Sequence, residues 1–456
     1  MKKTISGIRG IVGGDIGIKD VIKFCGNFAG LSGGRCVTGR DTRPSGPMME
    51  RAAHAGLMEG GVDVYDMGVA PTPVVFREAR RIGAGVVITS SHNPLVWNGL
   101  KFVIGGRGIN ESELPLITGT RSRGDGVQEG GSGDAAAAAA ASTSTTTTAA
   151  AATEPGVRRS HASSYVEEAA EVIGEIGGSP RIAVDVGGGA AAHVAPRLYE
   201  KIGCGVSVIN SEPRSRGPDP TTDGLDGLVS LSRAKGSIGF AFDLDGDRLV
   251  IVADGAKQTP DATLGLGIAG ALDMGYERFV LSADTSRGVE RLIESHGGAH
   301  TRAKVGEANV VEEMIKGGAQ AGGEGSSGGF ILPEFNHCRD GILAGGVIAR
   351  MLQEDGGARF REVLGMLGRY HIVRTKIPAG AGLRQRDMVE RALRWLESEC
   401  SEVQRLDGVR GVIDDDSWVL VRESNTEDAV RLSAESDDAA RCEAVIRNVR
   451  RVMAGG

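Results

Sequence analysis

A chain of 456 residues exceeds one compact core of about 100 to 200 residues, so three or four domains are expected. Its 52 basic and 59 acidic residues give a net charge of -7 and are interspersed along the chain, which argues against a nucleic-acid or membrane-surface partner. No apolar run of about 18 residues and no signal-peptide stretch occurs, so a soluble cytoplasmic protein is expected. Cys25, Cys36, Cys204, Cys338, Cys400 and Cys442 form no CxxC pair, so neither a disulfide framework nor a cysteine zinc site is indicated. The 71 glycines fit many tight turns around small anionic ligands, or equally a codon bias.

In chain order, GRCVTGRD reads as a strand, MMERAAHAGLMEGG as a helix, VDVYDMG as a strand, the stretch toward REARRIG as a helix and AGVVITSS as a strand. This strand and helix alternation restarts at PRIAVDVGGG and again at ERFVLSADTS, which predicts three similar α/β units without an exact sequence repeat. From Asp125 the composition collapses to Gly and then to Ala, Ser and Thr with no apolar face, so residues 125–156 read as a disordered low-complexity insertion. From His371 a shorter unit ends in the charged helix AARCEAVIRNVRRVM. The expected domains are therefore 1–124, 157–255, 256–370 and 371–456.

Four segments carry candidate chemistry. In AGVVITSSHNP, Ser91 follows a buried-looking strand and precedes His92, a place where α/β sheets bind ligands; an ordinary polar turn is the plain alternative. In AFDLDGDRLVIV, the carboxylates Asp243, Asp245 and Asp247 repel one another unless a hard cation such as Mg²⁺ neutralises them, and Arg248 is placed to reach a phosphate. The EF-hand pattern fails, because Gly246 is fourth and Asp254 is twelfth in the loop; haloacid-dehalogenase hydrolases come closer but lack an acid at 247. In AGGEGSSGGFILP a GxSxG match is set aside because a strand, not a helix, follows, leaving Glu324 and Ser326 for sugar hydroxyls. In VLVRESNTEDAVRLSAES, the residues Arg422, Ser424, Asn425 and Thr426, joined by Arg431, make a plausible phosphate cradle, or a capped turn.

In order and spacing these segments resemble the α-D-phosphohexomutase superfamily, which includes phosphoglucomutase, phosphomannomutase and phosphoglucosamine mutase. The resemblance covers nearly the whole chain outside the insertion. TSSHNP is similar to the family's phosphoserine loop, DLDGDR to its magnesium loop, GEGSSGG to its sugar loop and RESNTE to its phosphate-binding loop; SGIRGIVG with Arg9 and GRDTRPSG with Arg40 and Arg43 also look like family segments. The resemblance implies an α/β fold of three related α/β domains with mixed sheets plus a smaller TATA-binding-protein-like α+β C-terminal domain, heart-shaped overall, acting on a hexose phosphate as a monomer or homodimer. It implies Ser91 as phosphoryl carrier, Mg²⁺ bound by Asp243, Asp245, Asp247 and phospho-Ser91, Lys101 and His92 as proton-transfer candidates, Arg9 and Arg248 on the transferring group, and Lys304 near the reacting phosphate and sugar. Gly329 stands where many members have His, the sugar loop is one residue longer than the GEGNGG form, and Asp428 replaces a usual Pro.

The expected reaction runs from phospho-Ser91 through a hexose 1,6-bisphosphate, with most of the acceleration from positioning and electrostatics. Phosphoglucosamine mutase is favoured within the family, with phosphoglucomutase or phosphomannomutase as the alternative. A metal-dependent phosphatase using Asp243 as nucleophile and a non-catalytic sugar-phosphate module are the readings from other classes.

Overall fold

The computed structural model describes residues 1–119, 154–379, 384–424 and 428–455. The insertion expected over 125–156 therefore lies outside the described residues up to 153.

Among the described residues the strands form four sheets. In the first, β1 (Lys2–Thr4), β2 (Gly7–Ile11), β3 (Arg35–Arg40), β4 (Asp63–Val69), β5 (Ala84–Ile88), β6 (Trp97–Ile104) and β8 (Arg158–Ser160) run in the order β1-β2-β6-β5-β3-β4-β8, with β7 (Arg107–Gly108) paired to β6. Because β8 pairs with β4, the chain completes its first sheet beyond residue 157, and the second unit opens with the helix Tyr165–Ile173. The second sheet orders β9 (Arg181–Asp185), β10 (Gly205–Ile209), β11 (Ile238–Phe242), β12 (Leu249–Ala253) and β13 (Ala256–Lys257) as β10-β9-β11-β12-β13. The third orders β14 (Arg278–Ser282), β15 (Ala299–Ala303), β16 (Ala321–Glu324) and β17 (Gly329–Ile331) as β15-β14-β16-β17.

These three sheets share one plan. In each, three parallel strands lie in the sequence order second-first-third, and a fourth strand closes antiparallel on the third: β6 on β5, β12 on β11, β17 on β16. The turn joining the third strand to its antiparallel partner holds TSSHNP in the first unit, DLDGDR in the second and GSSG, just after Glu324, in the third. All three therefore sit at the carboxyl end of a parallel strand, where α/β sheets leave room for ligands.

The fourth sheet is wholly antiparallel, β18 (His371–Pro378), β22 (Ala429–Ser436), β21 (Ser417–Glu423), β20 (Val409–Asp414) and β19 (Glu402–Gln404) in that spatial order. The helices Gln385–Glu399 and Ala439–Ala454 pack with it around Met388, Leu396, Val419, Leu432 and Ile446, making the expected α+β unit.

The second and third units share one continuous core. It runs from Ile182 and Phe240 through Leu264 and Ile268 to Phe330, Ile342 and Ile348. The helices Pro260–Asp273 and Gly341–Met351 are apolar and buried almost all round, as helices inside a core must be. At about 25 cal/mol per Å² of apolar surface removed from water, this joint burial holds the second and third loops in fixed register. Among the described residues no helix is long and apolar enough to cross a membrane.

Candidate active site

Ser91 is fully buried, and its backbone is in the left-handed region, with φ of 50°. A brace of buried polar groups holds it there. The Ser91 N–H donates to Thr89 Oγ1 at 2.8 Å, the Thr89 hydroxyl donates to Asp41 Oδ2 at 2.6 Å, and Asp41 takes Arg43 Nε at 2.9 Å. The same guanidinium donates to the carbonyls of Ser91, Pro94 and Trp97, so one arginine clamps the whole loop. Burial raises the Asp41 carboxyl above its ordinary value, with Arg43 opposing. Arg40 points elsewhere and pairs with Glu50 at 3.2 Å.

The strained turn delivers the Ser91 hydroxyl to Asp243 Oδ2 at 2.9 Å, and His92 Nδ1 stands 3.4 Å from the same Oγ. Asp243, Asp245 and Asp247 are all fully buried and offer ligand atoms within 4.8 Å of one another. The turn between them uses Gly246 at φ +69°, which a side chain would strain. Thr72, at the start of the helix Thr72–Ile82, donates its N–H to the Asp245 carbonyl at 2.8 Å and its hydroxyl to Asp245 Oδ2 at 2.6 Å. Lys101 Nζ lies 2.7 Å from both Asp245 Oδ2 and Asp247 Oδ2. Burial opposes its charge, but the two carboxylates outweigh burial and raise it above the ordinary lysine value. Burial and its two neighbours drive Asp243 upward, whereas Arg339, Lys101 and Arg248 overcome burial and pull Asp247 down.

Two oxygens in this cluster, Asp245 Oδ1 and Asp247 Oδ1, are buried without a hydrogen-bond partner. A carboxylate oxygen shut from water without a donor is costly, and two of them beside a third carboxylate suit a hard cation with oxygen ligands. The donor set therefore fits a divalent metal. Around it stand cations with spare donors: Arg9 Nε and Arg248 Nε are buried and unpartnered, and Arg248 only approaches Asp219 and Asp243 at 3.9 Å. Arg248 first, then burial and Arg9, hold His92 below its ordinary range and hence neutral.

The sugar-loop carboxylate, Glu324, is buried; Oε1 accepts the Gly306 N–H at 2.7 Å and Oε2 accepts Arg339 Nη1 at 2.9 Å. Ser326 is half-buried on the short turn Gly325–Ser327, whereas its neighbour Ser327 is buried and takes part in hydrogen bonds to Glu324 O and Arg339. Lys304 is exposed just past β15. Arg422 approaches Asp407 at 3.8 Å, and Asp407 Oδ2 accepts the Val305 N–H at 3.1 Å, which ties the fourth unit to the Lys304–Gly306 turn. Arg431 Nε donates to Ser424 Oγ at 3.4 Å, while Asn425 and Thr426 lie outside the described residues.

Sequence reasoning missed Arg339, Glu307, Thr72 and Asp407, and gave Thr89, inside the TSSHNP loop, no role of its own. Arg339 is buried and contacts Asp247 at 2.9 Å, Glu324 at 2.9 Å and Glu307 at 3.2 Å. A continuous polar path thus runs from Ser91 through Asp243 and its loop to Asp247, Arg339, Glu324 and the Lys304–Gly306 turn, then through Asp407 to Arg422. The only available signal was a charged pair, Arg339–Asp340, directly before an apolar helix.

A thrice-repeated α/β plan, with a buried serine against a carboxylate cluster at one turn and a carboxylate for hydroxyls at another, is the architecture of the phosphohexomutases. The descriptions of phosphoglucomutase/phosphomannomutase α/β/α domains I, II and III match residues 1–123, 163–256 and 259–370, and that of the C-terminal domain matches 386–452. The chain belongs to the phosphoglucomutase/phosphomannomutase family. It is 32% identical over 449 residues to the probable phosphoglucosamine mutase of Methanothermobacter thermautotrophicus, covering 94% of this chain and 92% of that one, and 30% identical over 453 residues to that of Methanobrevibacter smithii, covering 96% and 95%. In fold it is similar to the phosphoglucomutase/phosphomannomutase family protein of Burkholderia thailandensis, with a TM-score of 0.79 at 24% identity over 99% of this chain and 96% of the other.

Proposed function

We propose that this chain is a phosphohexomutase that interconverts a hexose 6-phosphate and its 1-phosphate, with glucosamine phosphate as the substrate the curated relatives favour. The observation that carries the reading is the Ser91 hydroxyl, 2.9 Å from Asp243 in a carboxylate cluster with two unpartnered buried oxygens. Asp243, Asp245 and Asp247 would hold Mg²⁺, which when bound neutralises charge on the transferring group. A sugar hydroxyl attacks the phosphorus of phospho-Ser91, the P–O bond to Oγ breaks, and the hydroxyl proton leaves to a base. Neutral His92, next to Oγ, is placed to accept that proton, and a phosphoryl anion between Arg248 and Arg9 cancels the positive field that weakens it as a base. Lys101, held charged by two carboxylates, is suited to donate to the serine oxygen as it leaves. The hexose 1,6-bisphosphate turns over and returns its other phosphoryl group to Ser91. Glu324 with Ser326 or Ser327 would take the sugar hydroxyls, Lys304 the reacting end, and Arg422, Ser424, Asn425, Thr426 and Arg431 the non-reacting phosphate.

The phosphatase reading finds less support, because both Asp243 oxygens already accept hydrogen bonds, from Ser91 Oγ and from the Arg248 N–H. The test is intact-protein mass spectrometry joined to coupled assays on glucosamine, glucose and mannose phosphates. A phosphoryl group on Ser91 and loss of turnover in Ser91→Ala are expected; full turnover in that variant sinks the proposal.

A further inference from the structure

Arg339 is the one guanidinium among the described residues that touches both the metal-loop carboxylates and the sugar-loop carboxylate. Its Nη2 is 2.9 Å from Asp247 Oδ2, which also receives Lys101 Nζ at 2.7 Å, and its Nη1 is 2.9 Å from Glu324 Oε2. Glu307 holds it from the other side, standing 3.2 Å from Nε as an ion pair and accepting the Arg339 backbone N–H at 3.1 Å. The next residue fixes the backbone, since Asp340 accepts the Leu343 N–H, the Tyr165 hydroxyl and the Asn336 amide. The long stem reaches this position only by crossing residue 329. A Cβ there would lie 2.2 Å from Arg339 Cδ and 2.7 Å from Cγ, so glycine at 329 and arginine at 339 are one device.

We propose that Arg339 is a positioning residue that couples occupancy of the divalent-cation site to sugar recognition by Glu324. The proposal rests on the hexomutase reading of the site and deepens it. Asp247 receives both Arg339 and Lys101 on one oxygen, while its Oδ1 is buried without a hydrogen-bond partner. A divalent cation at the cluster takes up part of the Asp247 charge, and the guanidinium then leans on Glu324, keeping that buried carboxylate ionised and fixed as an acceptor for a sugar hydroxyl. Burial alone pushes Glu324 toward its neutral form, and Arg339 is the main force against it. A sugar that engages Glu324 must tighten cation binding by the same factor, because linkage between two binding free energies is reciprocal.

Titration calorimetry on the dephosphorylated full-length protein reads this directly and needs no turnover. Mg²⁺ is titrated with and without saturating glucosamine 6-phosphate, and the ratio of the two dissociation constants is the coupling. In the wild type the sugar phosphate should tighten Mg²⁺ binding by roughly fivefold to 150-fold. Arg339→Lys keeps the buried charge but loses the fork that bridges several carboxylates, so the ratio should fall below about twofold, with Mg²⁺ still bound and the fold intact by circular dichroism. Gly329→Ala leaves Arg339 in place chemically but displaces its stem, and should lose the coupling in the same way. A wild-type ratio of one overturns the proposal, as does a full ratio in either variant. Failure of the hexomutase reading shows separately, as absent turnover and absent phosphoserine in the wild type.

Discussion

Ser91 adopts a conformation that costs an L-residue roughly 1 to 2 kcal/mol, and it is held there by Thr89, Asp41 and Arg43. The strain turns the hydroxyl toward Asp243, so Ser91→Gly and Ser91→Ala should both be inactive yet differ in stability. In urea titrations the glycine variant should be more stable than the alanine variant by about 1 kcal/mol, because glycine meets no penalty at positive φ; equal stabilities would show that no strain resides there. Lys101 gives a second test. It is buried between Asp245 and Asp247, so Lys101→Met leaves Asp245 without a cation and Asp247 with Arg339 alone, and should cost about 3 to 5 kcal/mol in chelator. Excess Mg²⁺ should recover most of that loss in the variant and change the wild type less, measured by denaturation in both conditions.

The loops were legible in the sequence because their chemistry is local. Ser91 next to His92, and three aspartates in five positions, declare themselves by residue type and spacing. Arg339 did not, because its partners Asp247 and Glu307 lie 92 and 32 positions away, and neither did Asp407, which meets Val305 across 102 positions. Alternation of strands and helices foretold α/β units, but not that three motifs occupy one topological turn, since strand order is fixed by packing between distant segments. The contact between the third and fourth units was equally hidden. There Glu435, on β22, is fully enclosed and accepts the Arg287 N–H at 2.7 Å and Trp418 Nε1 at 2.5 Å. Burial pushes its carboxyl up to about 7, above the ordinary 4.5 of an unfolded glutamate. Between these values the folded chain binds more protons than the unfolded one, so this group's contribution is fully present below about 4.5 and is lost as pH rises through 7. Stability should therefore fall across that window by at most about 1.4 kcal/mol per pH unit from this residue. Glu435→Gln should flatten that part of the profile, and an unchanged slope would assign it to other groups.

At the scale of the whole molecule, the polar path from Ser91 to Arg422 crosses all four units, and its links are unequal. The second and third units are joined by a shared core and by short buried ion pairs at Arg339, and the first is bound to the second by the buried contacts of Ser91, Thr72 and Lys101 with the aspartate cluster. The polar link from the third unit to Arg422 runs through Asp407, by one hydrogen bond of 3.1 Å to Val305 and a 3.8 Å approach to Arg422, while the rest of the fourth unit is held by Trp418 and Leu420 packing near Val305 and by Arg374 on Asp261 at 2.8 Å. A loose last link suits a unit that must grip the distal phosphate of a substrate and then let it turn over, while the serine and the carboxylate cluster stay in place. Asp407→Ala should therefore act on substrate capture and spare the chemistry. Asp407 and Arg422 are both partly exposed to solvent, which screens the pair, so the loss should be modest: a rise in KM of roughly threefold to tenfold, the range of about 0.7 to 1.4 kcal/mol. Phosphorylation of Ser91, read by intact mass, should be unchanged in this variant, and so should kcat within about twofold. A fall in kcat with KM unchanged would mean that the fourth unit helps to align the reacting atoms, and the division of labour along the path would have to be redrawn with Arg422 beside the transferring group.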